Sequence, residues 1–327
     1  MARIGLIGCG MWGKNLARNL VQLNALVAVA DRNTRAANEF ASTFNVTAMS
    51  VDSLIEHKNI DGIVIATGAA SHDELAFAGL LAAKHIYIEK PLSLSLAGAH
   101  AIRDASISAQ RQVMVGHLIR YHAAFIELQK QLAAGAIGSL CHVQANRLAM
   151  GRIRTTESVL FDLCPHDLSL ILALVGDLPA KIHCIGASHM TIGVVDFLTS
   201  FLGFNGGVSA GMQTSWLSPF KEHRLTVIGS AGALVFDDTK PWPKKLTLFE
   251  DQMQLNGEHF VIDRASPITL PLAKAEPLNA EMRAFIHSCD NDSPTPTDIN
   301  EAVAVQQVLE MLHDNLIDTS LNFNTGQ

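Results

Sequence analysis

Lys90 stands in Glu89-Lys90-Pro91, directly after the apolar run HIYI, and Asp162 and His166 stand four residues apart in DLCPHD. A lysine, a carboxylate and an imidazole are the groups that proton removal from a hydroxyl requires: a base of near-neutral pKa, a cation for the developing negative charge, and an anion that orients the base. Four-residue spacing on a helix puts Asp162 and His166 on one face. Pro165, between them, fits the first turn of such a helix, which does not use its missing N–H. Each residue also has an ordinary reading. Lys90 could be a snorkelling surface cation, Asp162 a helix cap and His166 a structural histidine. If a second domain brings His166 opposite Lys90, the pair reads as base and oxyanion stabiliser, and residue types alone do not say which of the two takes the proton.

These groups need elements to carry them. The stretch GCGMWGKNLARNL follows the apolar run ARIGLI, so Gly8, Gly10 and Gly13 fall where a strand turns into a helix. The first glycine allows the sharp turn, the second lets a ligand approach the backbone, and the third lets helix and strand pack closely. Met11 and Trp12 then open a helix whose unpaired N–H groups face an anion, a place suited to a pyrophosphate. The next strand, LVAVAD, ends in Asp31, a carboxylate placed to accept hydrogen bonds from ribose hydroxyls and to repel a 2′-phosphate. NAD is therefore expected in preference to NADP, with Arg32 pulling the other way; a solvated turn residue is the plain alternative for Asp31.

The first third alternates short apolar runs with helical patterns, the form of a doubly wound parallel sheet. Its strands end at Gly8, Asp31, Thr67, Lys90 and His117, which are predicted to share one crevice at the carboxyl edge. From Ile119 the pattern changes. A helix over Ile119–Ala134, a strand LCHVQANRLA and a helix over Asp162–Val175 precede AKIHCIGAS, VVDFLTSFLGF, GVSAGMQTSWL, HRLTVIGS, GALVFDD and KLTLFED. The fold class is α/β: a Rossmann domain over 1–118, then an α+β domain over 119–327 with a mainly antiparallel open sheet for substrate binding and oligomerisation. Two helices, around Ala280–His287 and Asn300–Leu316, close the chain.

Composition sets the bounds. The 327 residues are 48% hydrophobic and carry a net charge of −7, with mean hydropathy +0.22; that is enough apolar material for two cores. Basic residues are scattered, so nucleic acid and anionic membranes are not expected partners. The five cysteines, Cys9, Cys141, Cys164, Cys184 and Cys289, show no C-x-x-C spacing, which argues for a reducing compartment and against a metal site or disulfide framework. The apolar run after Arg3 ends at once in the glycine loop and does not read as a signal peptide. With no apolar stretch long enough to span a bilayer, a cytoplasmic location is expected.

Together, GCGMWG, EKPL (Glu89–Leu92) and DLCPHD (Asp162–Asp167) resemble the Gfo/Idh/MocA oxidoreductase family over nearly the whole chain. The resemblance implies that Lys90, Asp162 and His166 meet a sugar carbon at the nicotinamide, and that Thr67, His72 and Glu89 lie by the cofactor. The family's A-T-P-x-x-x-H becomes Ala66-Thr67-Gly68 and then His72 here, without the proline. Segments Gly10–Leu20, Gly116–His122, Asn146–Arg154 and Trp216–Arg224 are similar to the branch that oxidises the C3 hydroxyl of UDP-N-acetylglucosamine, so that a pathway aminotransferase can install an amino group for lipid A or polysaccharide precursors. Arg152, Arg154, Lys221 and Arg224 suit a diphosphate, or are ordinary surface charge, Arg224 pairing with Glu222. Tyr121, His122 and Trp216 either stack on or bond a base or sugar of the substrate, or serve as core or interface packing. A free polyol such as inositol as substrate, or a non-catalytic NAD-binding sensor, remain the other readings, and a homo-oligomer, dimer or tetramer, is implied.

Overall fold

The computed structural model describes residues 1–151 and 153–320, with the backbone alone for 252–254. Two compact units result. The first comprises Met1–His122 and Ala275–Gln307, and the second comprises Ala123–Lys274 and the chain from Val308 onward.

In the first unit, β1 (Ile4–Ile7), α1 (Met11–Gln22), β2 (Leu26–Ala30), α2 (Thr34–Phe44), β3 (Thr47–Met49), α3 (Val51–Glu56), β4 (Gly62–Ile65), α4 (His72–Leu81), β5 (His85–Ile88), α5 (Leu96–Ala109) and β6 (Val113–Val115) alternate as expected. All strands pair in parallel, in the order β3-β2-β1-β4-β5-β6. Every residue of β1, β4, β5 and β6 is buried, which is why these runs are continuously apolar: a sheet with helices on both faces has no wet side. Asn33, Ser50 and Ser95 start α2, α3 and α5 by accepting a backbone N–H of the first turn.

The second unit begins with α6 (Ala123–Ala133), β7 (Leu140–Leu148) and α7 (Val159–Val175). It continues through β8 (Lys181–Ala187), β9 (Phe197–Gly203), β10 (Ser209–Ser215), β11 (Glu222–Gly229), β12 (Gly232–Asp237), β13 (Leu246–Phe249), the separate ribbon β14 (Gln252–Asn256) and β15 (His259–Asp263), and β16 (Ile268–Thr269). Helices α8 (Pro277–Asn291) and α9 (Ile299–Asp314) and strand β17 (Leu316–Asp318) follow. The sheet has nine strands, β16-β13-β12-β11-β7-β10-β9-β8-β17. It is mainly antiparallel, with parallel pairs β7–β10 and β8–β17. One face is open: Ile185, Phe201 and Ile317 are exposed on it, Ile185 lying opposite Ile317.

Several boundaries differ from expectation. The chain does not cross once at residue 118. It returns after Lys274, and Leu278, Met282, Phe285, Ile299 and Val303 complete the two apolar clusters of the first unit. A 3-10 turn over Leu118–Tyr121 replaces the start of the predicted helix, and Leu316 belongs to a strand. Helix α7 begins at Val159 with Ser158 as N-cap, so Asp162 is not the cap and Pro165 lies in the second turn. There the proline removes a bond that Phe161 O would otherwise receive.

Candidate active site

At the end of β1, Gly8 has φ +109°, and a Cβ there would lie 2.5 Å from Ala66 O. A Cβ on Gly13 would lie 2.1 Å from Gly8 O, whereas one on Gly10 would meet nothing within 4 Å. The three glycines thus do three different things: turn, approach and packing. Helix α1 has no side-chain cap and no acidic residue in its first turn, which leaves its N–H groups and positive dipole end for an anion. Met11 and Trp12 are exposed there. Arg18 is not directed at a ligand; it pairs with Glu276.

The Asp31 carboxylate accepts from Cys9 N at 2.8 Å and from Asn33 N at 2.9 Å. Those bonds fix its two oxygens just after β2, and Arg32 beside it is exposed. Burial, with Asp31 as a second cause, pushes the Cys9 thiol up to about 12, so it does not act as a nucleophile.

The other edge residues divide into bracing and presenting groups. Ser71 Oγ donates to Thr67 Oγ1 at 2.8 Å. His72 is buried, with Nδ1 2.8 Å from Pro91 O and Nε2 3.3 Å from Thr67 O; burial lowers its pKa, and the two carbonyls oppose that shift. His117 is likewise buried, its Nδ1 2.7 Å from Glu301 Oε2. Trp12 Nε1 donates to Glu89 Oε1. Glu89 and Lys90 are both partly exposed at the end of β5. Tyr121, by contrast, sits in the apolar core with its hydroxyl 2.9 Å from Thr297 Oγ1, so of the two roles considered for it the structure gives packing.

The second unit builds a pocket of its own, about 140 Å³, lined by Arg147, Arg154, Asp162, Ser215, Trp216 and His223. Asp162 Oδ1 accepts from Arg154 Nη2 at 3.0 Å, and its Oδ2 accepts from Trp216 Nε1 at 3.2 Å. His166 follows one turn later on α7. Behind them Arg147 makes a bidentate pair with Asp167, Nε–Oδ2 3.0 Å and Nη2–Oδ1 2.7 Å. His223 is pulled down to about 4, chiefly by burial and then by the positive charges of Arg147 and Lys221; the pocket therefore presents a neutral imidazole.

Arg224 does not line this pocket. Successive residues of a strand face opposite sides, and since His223, opposite Arg147 in register, faces the pocket, Arg224 faces away and pairs with Glu222 at 2.5 Å. Lys221 is exposed just before β11, and Arg152 lies outside the described residues. Arg147, Asp167 and His223 lie in segments that carry the family resemblance, but residue type alone does not mark them; alternation from Asn146 along β7 is the signal that does.

Residues 2–117 match the model of an oxidoreductase family with an NAD-binding Rossmann fold, and residues 125–235 match the GFO/IDH/MocA C-terminal domain. The chain belongs to the Gfo/Idh/MocA oxidoreductase family. NAD is the cofactor of its Rossmann domain, in keeping with the glycine cradle and the fixed Asp31. This Gfo/Idh/MocA chain is 30% identical over 215 residues to a UDP-N-acetylglucosamine 3-dehydrogenase of Acidithiobacillus ferrooxidans, covering 65% of this chain and 66% of that one. It is 33% identical over 178 residues to an inositol 2-dehydrogenase of Acidothermus cellulolyticus, covering 52% of each. The chain thus spans just under two thirds of the first relative's length and about half of the second's. A solved structure of the Acidithiobacillus enzyme superposes with TM-score 0.82 at 24% identity, covering 96% of this chain and 97% of that one. An oxidoreductase from Agrobacterium radiobacter in complex with NAD+, L-tartaric acid and magnesium superposes with TM-score 0.81 at 18% identity, 96% of each chain covered. At those identities the superpositions speak for the fold. No helix among the described residues is long and apolar enough to cross a membrane, and no group of three or more His, Cys, Asp or Glu among them could hold a metal ion.

Proposed function

We propose that this oxidoreductase oxidises the C3 hydroxyl of a nucleotide-activated amino sugar, UDP-N-acetylglucosamine in the first instance, to the 3-keto sugar. The observation that carries the reading is Asp162, held by Arg154 and Trp216 in a polar pocket one turn before His166. With both oxygens accepting, Asp162 acts as an anion that orients. NAD, when bound, supplies the hydride acceptor. His166 takes the hydroxyl proton as the C–H bond breaks, and the Lys90 ammonium donates to the same oxygen as negative charge develops.

The same pocket supports a second reading. Arg147 and Arg154 are each matched by a carboxylate, Asp167 and Asp162, so among the described lining residues no surplus positive charge remains for a diphosphate. That favours an uncharged polyol such as inositol, the substrate class named for several relatives. The cytoplasm as location, use of the keto product by an aminotransferase, and self-association through the open sheet face bearing Ile185, Phe201 and Ile317 belong to the first reading.

The test is NADH absorbance with NAD and UDP-N-acetylglucosamine, beside free N-acetylglucosamine and inositol, with an aminotransferase added to remove product. NADH from the nucleotide sugar alone supports the first reading; NADH from inositol alone replaces it with the second. Lys90→Ala and His166→Ala are each expected to lower kcat about 10²-fold or more, with NAD affinity kept, and near-wild-type turnover in both ends the proposed roles.

A further inference from the structure

Behind Lys90, two carboxyl groups of the first unit meet one phenol. Tyr87, on β5, is fully buried. Its hydroxyl lies 2.9 Å from Glu89 Oε1 and 3.2 Å from Glu281 Oε2. Glu281 comes from α8, on the chain segment that returns to this unit, and it too is fully buried. Room for the cluster is made by Gly116, where a Cβ would lie 2.6 Å from the Tyr87 hydroxyl oxygen and 3.0 Å from Glu89 Oε2.

A tyrosine hydroxyl carries one proton. It can donate to one carboxylate, and toward a second it offers only a lone pair. Were both glutamates ionised, one contact would set oxygen lone pairs against each other in a buried place. Both hydrogen bonds exist together only if one carboxyl group holds a proton. Which one follows from the surroundings. Burial raises the pKa of both carboxyl groups, but at Glu89 it is opposed by the Trp12 indole N–H, the Tyr87 hydroxyl and the Lys90 ammonium and backbone amide. The titratable groups acting on Glu281 are Tyr87 of β5, Glu89 after β5 and Tyr121 after β6, none of them a cation. Its Oε1 has no hydrogen-bond partner among the described residues. A partnerless oxygen is tolerable on a neutral acid and very costly on a buried carboxylate.

We infer that Glu281 is a neutral carboxylic acid whose O–H donates to Tyr87, so that Tyr87 in turn donates to Glu89 and holds it as the anion between Trp12 and Lys90. The chain of donors runs one way, Glu281 to Tyr87 to Glu89, and leaves a single negative charge at the end nearest the cofactor loop. Glu281 is thereby a positioning residue; its link to catalysis rests on the proposed role of Lys90, while its protonation does not.

The test uses the full chain without substrate. Glu281→Gln keeps the shape and a donor but has no acid, and infrared difference spectroscopy at neutral pH is expected to show loss of the C=O stretch of a protonated carboxyl group. The Trp12 indole N–H resonance, which reports the charge on Glu89, is expected to stay in place in Glu281→Gln and to move in Tyr87→Phe, where Glu89 loses the hydroxyl donor and keeps only the indole N–H on that oxygen. An acid band that survives Glu281→Gln overturns the proposal, as does a Trp12 resonance unmoved by Tyr87→Phe. Neither readout depends on the substrate, so failure of the dehydrogenase assay and failure of this inference are separate results.

Discussion

Trp216 Nε1 donates to Asp162 Oδ2 across 3.2 Å while Arg154 Nη2 holds the other oxygen at 3.0 Å. Trp216 is thus a hydrogen-bond donor to a carboxylate as well as a buried ring. Trp216→Phe keeps the apolar body and removes the N–H. The expected outcome is a fall in kcat/KM of roughly tenfold to a hundredfold, the worth of a hydrogen bond to a charged group, with NAD affinity unchanged by calorimetry. A loss confined to NAD binding would contradict the assignment.

Asp31 is clamped by Cys9 N and Asn33 N. Asp31→Ala removes the acceptor offered to the ribose and the charge that opposes a 2′-phosphate. NAD is expected to bind about tenfold or more weakly, and NADP to change little or improve. Titration of both nucleotides by calorimetry reads the ratio, and an unchanged preference would show that discrimination lies elsewhere.

The Arg147–Asp167 pair is buried on both sides. Arg147→Met leaves a buried carboxylate without its partner and should cost about 3–5 kcal/mol. Replacing both, with Asp167→Leu added, removes the uncompensated charge, and most of the loss is expected to return. Denaturant unfolding of the two variants decides; equal destabilisation in both would mean that packing, not charge, is what Arg147 supplies.

His223, at about 4 in the folded protein, lies well below free histidine, near 6.5. Unfolding therefore takes up a proton between those values, so this group's contribution is complete above about pH 6.5 and is lost as pH falls toward 4. His72 and His85 are also lowered by burial and work in the same direction. Comparison of stability against pH for His223→Asn and wild type isolates its share, expected as a shallower acid slope in the variant. Parallel curves would count against it.

What the sequence disclosed was local. Gly8, Gly10, Gly13 and Asp31 could be placed because each function is set by a few neighbouring residues and a strand end. Asp162 and His166 could be paired because helical spacing is fixed, although the start of α7 at Val159 shifted Pro165 out of the first turn. Strand alternation, applied from His223, would have turned Arg224 away from the pocket. The rest depends on partners far apart in the chain. Arg147 and Asp167 are twenty residues apart, and Tyr87 and Glu281 are 194 apart; no period or spacing marks such a pair. The segment from Ala275 to Gln307 reads as a pair of helices with no sign of which unit they complete.

That returning segment also orders events during synthesis. Leu278, Met282 and Phe285 cover the side of the parallel sheet that holds Leu20, Tyr87 and Met114, so the first unit, whose glycine loop is made early, is not sealed until Ala123–Lys274 of the other unit has been synthesised. Until α8 is made, its nascent apolar face waits through more than a hundred and fifty residues of translation, a long closure that favours slow completion and chaperone contact.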